Sequence, residues 1–154
     1  MTENSADNVD LTWKLDKMTE VPGIIAACLV TVDGIKLAYS NASVDDVDRA
    51  AAALAGLRAL GANLTGLSGK TADETKVRRV TLDLKSSTIL LFTAGTNSVL
   101  GVAVEGDEVS PAVTVATGMA LKTIASFGES LAAAERAVAH REQQARMARA
   151  STLA

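Results

Sequence analysis

The chain has 154 residues, which suits one domain and leaves little room for a second. It is 48% hydrophobic and 21% charged, so it can bury a sizeable core, and with only 3% aromatics that core must come from Ala, Val, Leu and Ile. A net charge of −3 argues against a nucleic-acid partner, and the single cysteine, Cys28, excludes an internal disulfide and cysteine-type metal spacing.

Met1 to Val9 is polar and acidic, unlike a basic region followed by an apolar run, and reads as a disordered tail. Asp10 then caps a short helix in which Leu11, Leu15 and Met18 share one face, with Trp13 off that stripe as a partly buried packing residue. Pro22-Gly23 stops the helix. Ile24 to Val32 is apolar on both alternating faces, so it reads as a strand covered on both sides. Asp33-Gly34 suits a two-residue turn, and Ile35 to Tyr39 returns as the second strand of a hairpin. Cys28 sits mid-strand as a small buried hydrophobe.

Ser43 or Asp45 can cap the next helix, whose first turn carries Asp45, Asp46 and Asp48 at the positive end of the helix dipole. Val47, Ala50, Ala51, Leu54, Leu57, Leu60 and Leu64 form its stripe, while Gly56 and Gly61 each cost about 1 kcal/mol relative to alanine. Either a second helix or strand approaches closely at those glycines, or they reflect ordinary packing on a sheet.

Gly66 to Lys76 is a loop rich in Gly, Thr and Ser. Val77 to Lys85 alternates, with Val80, Leu82 and Leu84 facing in and Arg79, Thr81 and Asp83 facing out. Thr88 to Ala94 and Val99 to Val104 follow across short turns, giving an antiparallel meander. Pro111, just after Ser110, opens a long helix with a weak heptad from Val113 through Leu131 to Ala148. Beyond Gly128 the seam is mostly alanine, and Ala148 to Ala154 is expected to fray. Three segments follow: a tail over 1–9, a domain over 10–131, and a partly frayed helical extension over 132–154.

No catalytic constellation emerges. His140, the sole histidine, lies in the thin C-terminal helix. The Asp45, Asp46, Asp48 cluster lacks the glycine and distal glutamate of a calcium loop. The stretch Gly66 to Thr71, GLSGKT, ends like a phosphate-binding loop. Counting back, the first glycine should stand at position 64, where the residue is Leu64. The order is also reversed, because a helix precedes the stretch and a strand follows it. The expectation is therefore a protein without catalytic residues, cofactor or metal. No window approaches the roughly 20 apolar residues of a membrane span, so a soluble, cytoplasmic chain is expected.

The order helix, two strands, helix, three strands, helix resembles the Roadblock family, which includes the dynein light chain Roadblock and the bacterial MglB-like proteins. Val21-Pro22-Gly23-Ile24, Val32-Asp33-Gly34-Ile35, the alanine-rich helix from Val47 to Leu64 and the Gly101 to Val104 strand carry the likeness, over roughly Leu11 to Leu131. The resemblance implies an α+β fold, a five-stranded antiparallel sheet with helices on both faces, in the order α-β-β-α-β-β-β-α. It also implies a homodimer in which Val77 to Lys85 pairs edge to edge and Asp45 to Leu64 packs against its counterpart. The implied interface residues are Val47, Arg49, Ala51, Leu54, Gly56, Leu57, Arg58 and Gly61 on the helix, with Val77, Arg79, Thr81 and Asp83 on the strand. Arg49 and Arg58 are exposed contact candidates. MglB-like members bind a Ras-like small GTPase and modulate its nucleotide cycle, so the resemblance implies that partner too. The other reading is a scaffold or sensor subunit that recruits partners through Glu129 to Arg149 without affecting GTP turnover.

Overall fold

The computed structural model describes residues 6–71 and 76–153. Helix α1, Ala6–Thr19, buries Leu11, Leu15 and Met18 completely. It starts four residues before Asp10, so part of the expected tail is helical; residues 1–5 of that tail lie outside the described residues. Asp7 in the first turn and Lys17 in the last suit the helix dipole. Trp13 is 55% exposed rather than partly buried, and the Lys17 ammonium stands 5.6 Å from its ring centroid.

Strands β1, Ile24–Thr31, and β2, Lys36–Ser40, form the hairpin. Its connection is longer than two residues: Thr31 N–H donates to Ile35 O, and of Asp33-Gly34 only Gly34 takes a positive φ, at 87°. Helix α2, Val44–Asn63, is capped by Ser43, whose Oγ accepts from Asp46 N at 3.1 Å. A 3-10 turn over Thr65–Ser68 follows, then β3, Arg79–Asp83, β4, Ser87–Ala94, and β5, Ser98–Glu105. Helix α3 spans Pro111–Leu153 and changes direction at Gly128, where φ is 50° and ψ is −133°.

The five strands form one antiparallel sheet in the order β2-β1-β5-β4-β3. The fold is α+β, as expected. Helices α1 and α3 cover one face, with Leu29, Leu90, Phe92, Leu100 and Phe127 in the core between them. Helix α2 covers part of the other, over Val30, Leu91 and Val99. The order places β2 and β3 at the two edges, and α2 passes over the sheet toward β3.

The core does not stop at residue 131. Ala134 and Val138 are buried in it, and the helix runs to Leu153; residue 154 lies outside the described residues. Polar contacts from other elements hold this segment. Glu135 Oε2 accepts from Asn97 N and from Ser98 Oγ, the latter at 2.8 Å, and Ser130 Oγ donates to Asp10 Oδ2 at 2.7 Å. The Lys14 ammonium reaches both Asp10 Oδ2, at 3.0 Å, and Ser126 O. The Ser130 hydroxyl, and then Lys14, hold the Asp10 carboxyl below its ordinary pKa of 3.8.

Candidate protein interface

Helix α2 meets the sheet through Val47, Ala51 and Leu54, all buried. Close approach is made possible from the strand side. A Cβ at Gly101 would lie 2.6 Å from Leu54 Cδ1, so the absence of a side chain in β5 lets the helix settle. Gly56 is different: a Cβ there would meet nothing within 4 Å, so it faces open space. A Cβ at Gly61 would lie 3.2 Å from Val77 Cγ2, so this glycine sits close to Val77. Of the two explanations for these helical glycines, close packing within the protomer therefore applies to Gly61 alone.

These positions divide the sequence-derived residues into two groups. Val47, Ala51 and Leu54 are buried in the chain's own core. Arg49 and Gly56 are exposed, and Leu57, Gly61 and Val77 are half-buried. Arg79, Thr81 and Asp83 are exposed along β3. Arg58 is half-buried rather than exposed, because it follows Leu54 by four residues on the inward stripe. Its Nε is shielded from solvent and has no hydrogen-bond partner among the described residues. Arg49 makes a long ion pair with Asp46, at 3.9 Å.

Strand β3 pairs with β4 from Arg79 opposite Phe92 to Asp83 opposite Thr88, and no strand among the described residues pairs with its outer side. Val80 packs against the α2 cluster. Leu82 and Leu84, inward-facing by their alternation, are 40% and 49% exposed. The alternation is correct, but no helix extends over this end of the edge strand.

An apolar groove of about 270 Å³ occupies that gap. Ala50, Ala53 and Leu57 of α2 form one wall, and Cys28, Leu82 and Ile89 of the sheet form the other. Asp46 is the only charged residue along it among the described residues. Burial pushes the Cys28 thiol up to about 11, against the opposing pull of a backbone hydrogen bond at Gly101, which favours the neutral thiol near pH 7. A larger, more polar groove of about 1010 Å³ lies elsewhere, between α1, β2 and the second half of α3.

The outward side of α2 is unusually apolar for a surface helix. Val44–Ser68 reaches a mean hydropathy of 1.2 and is long and apolar enough, by length and composition alone, to cross a membrane, contrary to the expectation that no window comes close. The difference arises from alanines and glycines, which raise mean hydropathy without forming an aliphatic run. Leu60 and Leu64 are each 62% exposed here. Two features of this surface are not apparent from the sequence reading, the seat at Gly101 and the open groove. Only the first has a signal, a glycine inside the apolar run VLGVAV.

The GLSGKT stretch sits where its sequence context places it, after α2 and before β3. Gly69 ends the 3-10 turn with a φ of 67°, and Lys70 N donates to Ser68 Oγ. The rest of the expected loop, residues 72–75, lies outside the described residues.

A family model described as the Roadblock/LC7 domain matches residues 12–103, more than half of the chain. The chain belongs to the Roadblock/LC7 family. Solved structures agree on the fold. A Roadblock/LC7 domain from Streptomyces avermitilis is 26% identical, with a TM-score of 0.65 over 78% of this chain and 96% of that one. An MglB with a tetrameric arrangement is 17% identical, with a TM-score of 0.71 over 84% and 93%. The gliding protein MglB from Thermus thermophilus is 21% identical, with a TM-score of 0.65 over 81% and 93%. No curated protein matches this Roadblock/LC7 chain at a significant level.

Proposed function

We propose that this Roadblock/LC7 protein is a noncatalytic, cytoplasmic homodimer that binds a Ras-like small GTPase and modulates its nucleotide cycle or location. One observation carries the reading: an exposed apolar helix, an apolar groove and an unpaired strand edge are contiguous. An open edge and an apolar patch both invite protein contact. A second copy fits this surface well. Gly61, toward the C-terminal end of α2, lies against Val77, just before β3 begins. Antiparallel pairing of two β3 strands would bring the partner's helix end toward Leu82 and the groove. The charges Asp45, Asp46, Asp48, Arg49 and Arg58 on α2 also suit a protein face better than a lipid one. In the resulting dimer, the two α2 helices would lie on one side of a continuous sheet and form the platform for the GTPase.

Two measurements test this. Sedimentation should give twice the chain mass, and a Ras-like GTPase should be retained by the immobilised protein in at least one nucleotide state. Absence of retention in both states would sink the GTPase part, and a monomer at every concentration would sink the dimer. The scaffold reading rests on another observation. Past Val138 the helix is exposed apart from the half-buried Glu142, and it carries His140, Arg141, Arg146 and Arg149. Deleting residues 139–154 separates the two: GTPase binding survives if α2 is the platform, and partner recruitment fails if the extension is the contact.

A further inference from the structure

The C-terminal end of α2 meets the start of β3 at a groove of about 650 Å³, distinct from the two described above. We propose that this groove docks an acidic segment of a partner protein, with carboxylates on its cations and an apolar side chain between its leucines. The docking requires neither the homodimer nor the GTPase proposed above.

The sequence concentrates cations here. Residues 58–80 carry Arg58, Lys70, Lys76, Arg78 and Arg79 against Asp73 and Glu74, a net charge of +3 in a chain whose total is −3. Lys76, Arg78 and Arg79 line the groove, all three exposed, and none makes an ion pair with a described residue. Arg58 stands one turn before Gly61 on α2, and its shielded Nε has no hydrogen-bond partner among the described residues. Like charges gathered in this way repel one another, so their proximity does not stabilise the protomer. An acidic partner turns the same accumulation into attraction.

The backbone that carries these cations is held in place. A Cβ at Gly61 would lie 3.2 Å from Val77 Cγ2 and 3.9 Å from Val80 Cγ2, so the missing side chain lets the approach to β3 settle beside the helix. Arg78 O accepts from Thr93 N at 3.2 Å, and Arg79 stands opposite Phe92 of β4. The walls between the cations are apolar. Leu64, the C-cap of α2, and Leu121 of α3 both line the groove and are exposed, and the buried Phe92 lines it too.

This combination selects among anionic partners. A single phosphate group is far smaller than the groove, and the Thr65 hydroxyl on its wall already donates to Ala62 O. A bilayer surface receives protruding side chains, whereas these cations line a concavity. Single-stranded nucleic acid stacks on exposed aromatics, but Phe92 is buried and the chain as a whole is acidic. A segment of several residues fills the volume, spreads its carboxylates over three cations and covers Leu64 and Leu121 with an apolar anchor.

A fluorescein-labelled peptide of four glutamates and two leucines tests the groove by fluorescence anisotropy. Binding should be saturable and should weaken about tenfold between about 50 mM and about 300 mM salt. Arg78→Glu and Lys76→Glu should each weaken it about tenfold, and Leu121→Ser about threefold. Lys17→Glu makes the same change of charge on α1 and should stay within about twofold of native. The peptide with glutamine in place of glutamate should not bind. The substituted positions are exposed, so thermal melts and sedimentation should match the native chain. A native chain that does not bind the peptide, or binding untouched by Arg78→Glu, would overturn the proposal. A loss shared equally by Lys17→Glu would overturn it too, because bulk charge would then explain the binding. Altered sedimentation of the Arg78 and Lys76 variants would assign these cations to self-association instead. Retention by phosphatidylserine vesicles without binding of the peptide would assign the groove to lipid and overturn the protein partner.

Discussion

The two faces of the sheet are finished to different degrees. Among the described residues, 21 buried hydrophobics form one cluster on the α1/α3 face, against 7 on the α2 face, so the second is covered far more thinly. The first face uses large side chains such as Phe127, Leu29 and Leu100, none more than 2% exposed. The second has one helix, seated on a glycine, with an apolar groove beside it. Protomer stability should thus reside on one face and association on the other.

The largest effect that sharpens this contrast is Phe127→Ala. It empties the thickly covered face and should cost about 3–5 kcal/mol by denaturant unfolding. Next is Gly101→Val in β5, which drives a side chain into Leu54 and should cost about 2 kcal/mol while displacing α2. Both should also reduce association, the second more than its stability cost alone would explain. A Gly101 variant that destabilised the protomer but left association untouched would break the assignment of α2 to the interface. Leu57→Glu should do the reverse. It places a charge on the groove wall, so unfolding should change by less than about 1 kcal/mol, while sedimentation should show loss of the dimer.

Much of this is legible in the sequence, and the parts that are not share a cause. Leu11, Leu15 and Met18 announce α1 by spacing alone, and the alternation in β3 assigns its faces correctly. Periodicity reports orientation and not cover, however. Leu82 and Leu84 alternate like core residues, yet they lie exposed because no helix reaches them. Val47, Ala51 and Leu54 share a stripe with Leu57, but the first three are buried on the sheet while Leu57 is only half-buried on the groove wall. Arg58 has the phase of the inward stripe, which a list of polar residues treats as surface. The second half of α3 looks too rich in alanine to dock. Its anchors are Glu135 on the β4–β5 turn and Ser130 on Asp10, contacts at long sequence separation that leave no local pattern.

That segment also tests how the thickly covered face is closed. Gly128 has φ 50° and ψ −133°, a region that residues with a Cβ avoid, and a Cβ there would meet no neighbour within 4 Å. The glycine is therefore required by backbone geometry alone. Gly128→Ala should cost about 1–3 kcal/mol and raise protease cleavage between residues 128 and 138, while leaving the β3 edge unaffected.

The smallest effect is the most specific. The Asp10 carboxyl is held below its ordinary value by Ser130 and Lys14, so it binds its proton less readily folded than unfolded. Its contribution to stability is therefore fully present above the unfolded value near 3.8 and is lost as pH falls through the lower folded value. Ser130→Ala removes the larger cause. The variant should lose slightly less stability than the native chain between about pH 5 and pH 2, with the two acid-unfolding curves converging at the low end. Because Ser130 lies two residues past Gly128, the same variant should partly reproduce the local protease sensitivity of Gly128→Ala. An acid profile unchanged by Ser130→Ala would mean that the Asp10 contact does not hold the second half of α3, leaving Glu135 and the buried Leu131, Ala134 and Val138 to hold it.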